Sequence, residues 1–99
     1  MNEALMTAAY KAARENYKAA AITTFKTLDA QFADAGFDTV HQAAQRAIQL
    51  HIAATDLAQK IWERTLAYEK AEEILNRQFP EFPAVTRQKA LSDAHTDVR

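Results

Sequence analysis

The chain has 99 residues, 48% of them hydrophobic and 25% charged, with a net charge of −1 and no cysteine. That balance fits one globular domain and excludes disulfides, thiolate metal sites and a cysteine nucleophile. Charge is evenly mixed along the chain, so no nucleic acid is expected as a partner, and an electrostatic membrane anchor has no support either.

The N-terminal run carries Glu3, Lys11 and Arg14 and lacks a continuous apolar core, unlike a signal peptide. No stretch approaches about 18 uninterrupted apolar residues, so no membrane span is expected, and the default location is cytoplasmic. A single glycine and two prolines leave little turn chemistry for a sheet. The fold class that follows is all-α.

From Ala4 to Ala35 the sequence is compatible with helix throughout. Met6, Tyr10, Ala13, Tyr17, Ala21, Phe25, Leu28 and Phe32 recur with a mean step of roughly 3.7, a helical period with little supercoil. Lys11, Glu15, Lys18 and Asp29 take the opposite face. The expected first helix, residues 3–35, is a rod of about 50 Å.

Gly36 is the only glycine. It is expected to close that helix in the left-handed conformation, with Phe37 as a hydrophobic contact and Asp38 as the N-cap of the next helix. Gly36, Phe37 and Asp38 thus form the expected hinge of an antiparallel hairpin.

The second helix is expected over 39–79, roughly 60 Å long. Its main stripe is Ala43, Ala47, Leu50, Ala54, Leu57, Ile61, Arg64, Tyr68, Ala71 and Leu75, alternating steps of four and three and broken by one charge, Arg64. A second apolar strip runs through Val40, Ala44, Ile48, Ile52, Ala58, Trp62 and Leu66. One antiparallel neighbour covers one stripe, not two.

Pro80 and Pro83 end the hairpin (residues 1–79) and open a tail (80–99) that admits a short helix over 84–94, with Phe79, Phe82, Val85 and Leu91 able to fold back over Trp62 and Leu66. So short a segment does not reach the rest of the second strip. Val40, Ala44, Ile48, Ile52, Trp62 and Leu66 are therefore the expected protein interface, most simply between two copies forming a four-helix bundle.

Catalytic arrangements are sparse. His41 and His51 lie about 15 Å apart along one helix and cannot share a metal within one chain. Glu69, Glu72 and Glu73 read as a solvated face salt-bridged to Lys70 and Arg77. Ser92, Asp93 and His95 hold nucleophile-relay residue types, but helical spacing turns them to different sides. No cofactor and no catalytic or metal-ligating residue is expected, and no family motif is recognisable. The functional expectation is a non-enzymatic protein-binding module such as an adaptor, inhibitor, chaperone or regulatory subunit. The alternatives are an amphipathic protein that coats lipid or hydrophobic granules, and a weak nucleic-acid-binding regulator using Arg77, Arg87 and Lys89.

Overall fold

The computed structural model describes residues 3–15 and 21–98, with the backbone alone at 21–25, and is all-helical, with no strand among the described residues. Among the described residues, five helices appear where two long ones and a short one are expected: α1 (Glu3–Glu15), α2 (Ala21–Gln31), α3 (Phe37–Trp62), α4 (Tyr68–Gln78) and α5 (Ala84–Asp97). A short 3-10 turn, Ala33–Ala35, joins α2 to α3.

The first correction concerns length. Helices spanning 3–35 and 39–79 would measure about 50 and 60 Å, but the molecule's longest dimension is 43 Å. Instead of forming one rod, α1 packs against α2. Residues 16–20 of the expected rod, with the stripe position Tyr17, lie outside the described residues, as do the side chains of Ala21 and Phe25.

The second long helix ends at Trp62. Thr65 N–H donates to the Lys60 carbonyl and Arg64 N–H to the Ile61 carbonyl, each at 3.0 Å. These bonds form a Schellman closure, with Arg64 in the left-handed region at φ 61° where glycine is usual. Thr65 Oγ1 donates to the same Lys60 carbonyl. The charge that interrupts the stripe is thus the residue at which the helix stops. From there α4 runs back along α3, bringing Phe79 and Glu81 to Arg46.

Gly36 also differs from expectation. Its φ of 92° is positive, but its ψ of 148° lies far from the left-handed helical well. It closes the 3-10 turn, its N–H donating to the Ala33 carbonyl, and is at once the N-cap of α3, where Val40 N–H donates to its carbonyl at 3.1 Å. Asp38 is therefore not the cap. It sits inside the first turn, where its charge complements the helix dipole.

The central element is α3, which touches each of the other helices and the 3-10 turn. Its inner side buries Val40, Ala43, Ala44, Ala47, Leu50, Ala54, Leu57 and Ala58. Five of these are alanines, which let neighbouring backbones approach closely. The bulk comes from Leu5, Met6 and Tyr10 of α1, Leu28 of α2, Leu75 of α4 and Leu91 of α5, with Phe79 and Phe82 between the last two helices.

The tail helix is longer than the expected 84–94. It extends to Asp97 and runs parallel to α1, as the ascending pairs Thr7–Thr86, Tyr10–Asp93 and Arg14–Asp97 show. Two arginines fix the corner between α4 and α5. Arg87 donates to Asn76 Oδ1 and to the carbonyls of Phe79 and Phe82. Arg46 grips Glu81 through two parallel hydrogen bonds of 2.8 and 2.9 Å and lies over the Phe79 ring at 4.5 Å.

The Arg46–Glu81 pair is half-buried, and the Arg46 hydrogen bond holds the Glu81 carboxyl below its ordinary pKa of 4.5, against the effect of burial. A depressed folded pKa means that the stabilisation is present above the ordinary value and lost as pH falls through the folded one. Glu81→Gln should therefore lower unfolding free energy by about 1 kcal/mol at neutral pH. The loss should shrink at about pH 3 in urea unfolding. An equal loss at both pH values would show that the effect is packing, not charge.

Candidate interaction surface

The six residues expected to form one uncovered strip divide. Val40 and Ala44 are buried within the chain, because splitting the first rod into α1 and α2 gives α3 an additional neighbour. Ile48 and Leu66 are half-buried against the core. Ile52, 62% exposed, and Trp62, 56% exposed, remain outside. The tail does not cover Trp62: Phe79, Phe82 and Leu91 turn into the core, while Val85 is 70% exposed.

A residue not expected at the surface site joins them. Phe37 is 64% exposed and stacks on His41, ring centroids 5.8 Å apart and the two planes nearly parallel. At about 100° per residue, Phe37, Ile48, Ile52 and Trp62 fall within an arc of about 80° on one flank of α3. Placing the helix start at residue 37 instead of 39 would have revealed Phe37, since it then continues the period of Ile48 and Ile52.

This flank is also poor in charge. The exposed positions of α3 from Thr39 to Thr55 are Thr39, His41, Gln42, Gln45, Gln49, Ile52 and Thr55, none of which is Asp, Glu, Lys or Arg. Arg46, the charged side chain in that interval, is half-buried and committed to Glu81. Asp56 is the first acid reached, and it pairs with Lys60 at 3.2 Å.

A second feature lies between α1 and α5. A half-open groove of about 410 Å³ is bordered by Thr7, Tyr10, Lys11, Arg14, Thr86 and Lys89, among others. Tyr10 donates to Asp93 at 2.8 Å. Arg14 reaches Asp93 at 3.2 Å and Asp97 at 3.1 Å, and Lys89 also meets Asp93. Burial first, then the bond to Asp93, pushes the Tyr10 hydroxyl well above its ordinary pKa.

Tyr10 therefore stays a proton donor at physiological pH, and Asp93 is occupied by three donors. That pattern ties two helices together and commits Asp93 to the contact between them. His51 nearby is pushed below its ordinary value, by burial first and then by the Arg14 charge. It thus stays neutral at pH 7.

The other chemistry-bearing residues are dispersed. Asp93 faces α1, whereas the His95 ring meets Tyr68 edge-on at 6.2 Å, so the Ser92–Asp93–His95 set is not assembled. Lys70 pairs with Glu73 at 3.4 Å on an exposed face of α4. His41 stacks on Phe37 and lies 3.0 Å from Gln45 Nε2. No group of three or more His, Asp or Glu residues able to hold a metal occurs among the described residues. No described helix is long and apolar enough to cross a membrane.

Comparison with protein-family models, curated proteins and solved structures finds no match. The surface must therefore be interpreted from its own chemistry. What distinguishes it is the coincidence of large exposed apolar side chains with an uncharged exposed stretch from Thr39 to Thr55, on the central helix of the fold.

Proposed function

We propose that the protein acts by binding another polypeptide chain, without catalysis, through the outward flank of α3. The contact residues are Phe37, Ile48, Ile52 and Trp62. One observation carries the reading: in a chain that is 25% charged, the exposed positions from Thr39 to Thr55 bear no formal charge, and on the same flank Phe37, Ile52 and Trp62 are each more than half exposed. Depletion of charge around aromatic and aliphatic anchors is the compositional mark of an interface centre. Leu66 lies beyond the end of α3 and serves the core, and Val40 and Ala44 support the flank from beneath.

A photo-crosslinking residue at Ile52 is expected to give a defined protein adduct in the native setting. The same residue at Glu73, on the charged face of α4, is expected to give none. Indistinguishable labelling at the two positions, or none at position 52, would remove this face from consideration.

A further inference from the structure

We infer that the chain seated on the α3 flank is a second copy of this protein, antiparallel to the first, with the two-fold axis passing near residue 50. This rests on the binding reading above and names its partner. The argument is one of symmetry. An interface between identical chains must be its own complement, residue i meeting residue j and j meeting i.

The exposed apolar residues of α3 satisfy that condition. The midpoint of Phe37 and Trp62 falls between residues 49 and 50, and the midpoint of Ile48 and Ile52 falls at residue 50. A two-fold axis there sets Ile48 against Ile52 of the second copy. It sets Phe37, with its stacked His41, against Trp62 of the second copy at each end. An unrelated partner would impose no such spacing.

The polar positions agree. Pairing about residue 50 sets His41 against Gln59 and Gln45 against Thr55, uncharged groups able to donate and accept hydrogen bonds. Asp56 falls at the level of the buried Ala44, not opposite another acid. No ionised side chain faces a like charge near the axis, and Arg46 remains on the α4 side with Glu81.

Size sets the strength. The flank of a 26-residue helix is roughly 39 Å long and about 10 Å wide, or roughly 400 Å² per chain. A stable interface usually buries about 800 Å² per partner. The dimer is therefore a weak one that forms at high protein concentration and dissociates on dilution.

Because the protein has no cysteine, single substitutions report the geometry. Gln42→Cys and Gln49→Cys lie at exposed positions beside the apolar contact and accept nitroxide labels for distance measurement. About an axis at residue 50, the two labels of a dimer are offset along the helix by about 3 Å at position 49 and about 24 Å at position 42. A parallel dimer gives equal distances at the two positions.

The expected result is a concentration-dependent dimer in sedimentation, with a short distance at position 49 and a long one at 42. Ile52→Glu should weaken dimerisation at least tenfold while leaving the helical circular dichroism and melting temperature of the monomer intact. A monomer at every concentration up to about 1 mM would overturn the inference, as would equal label distances or a dimer indifferent to Ile52→Glu. An adduct at position 52 with a different protein would also overturn it, yet leave the binding reading standing.

Discussion

Leu50→Ala is expected to lower the unfolding free energy by about 3 kcal/mol. Leu50 is fully buried at the middle of α3, the helix that every other helix touches. Removing its side chain opens a cavity that the neighbours cannot refill, because many of the α3 residues around it are already alanine. For a chain of this size the melting temperature should fall by roughly 12 °C or more. Thermal and urea unfolding check this, with Ile52→Ala as the control, since an outward residue should change monomer stability little. A loss below about 1 kcal/mol at Leu50 would mean that α3 is not the energetic centre of the fold.

The second large effect concerns the two described residues with positive φ. Gly36 has φ 92° and ψ 148°, a region that is essentially glycine's alone. A Cβ added there would meet nothing within 4 Å, so any penalty is backbone strain and not collision. Gly36→Ala should therefore destabilise by about 2 kcal/mol, and Gly36→Val by a similar amount despite its greater bulk. A much larger loss for valine would point to crowding instead.

Arg64 is the mirror case. It occupies the left-handed position of the Schellman closure with a Cβ that the position disfavours. Arg64→Gly is expected to stabilise by up to about 1 kcal/mol, read as a raised urea midpoint with an unchanged slope.

These two positions explain how much of the architecture was legible in advance. Helical periodicity correctly marked Met6, Tyr10, Ala13, Ala43, Ala47, Leu50, Ala54, Leu57, Ala71 and Leu75 as inward-facing, and all are buried. The break after Trp62 was hidden because its closing residue is arginine, and Thr65, Leu66 and Ala67 carry no turn-forming type. The trace it left was a charge in an otherwise apolar stripe, visible but open to more than one explanation. At Gly36 the sequence marked a positive φ but not which well, since glycine tolerates several.

The candidate surface was half legible for a related reason. Ile52 and Trp62 stood out because two apolar strips on one helix exceed what one neighbour can cover. Which part of the second strip stayed bare depended on how many neighbours the rest of the chain supplied. With α1 and α2 packed as separate helices, Val40 and Ala44 were absorbed into the core. Phe37 entered the surface only once the helix was seen to begin there.

The parallel pairing of α1 with α5 bears on how the molecule is made. Thr7 meets Thr86 across 79 positions of sequence, and Tyr10 meets Asp93 across 83. Chains are synthesised from the N-terminus, and domains generally fold in that order. Here α1 is synthesised before α5, and the contacts of Tyr10 and Arg14 with Asp93 and Asp97 await it. Until α5 emerges, Tyr10 and Arg14 lack Asp93 and Asp97. The polar seam between α1 and α5 therefore joins segments made at widely separated times in synthesis.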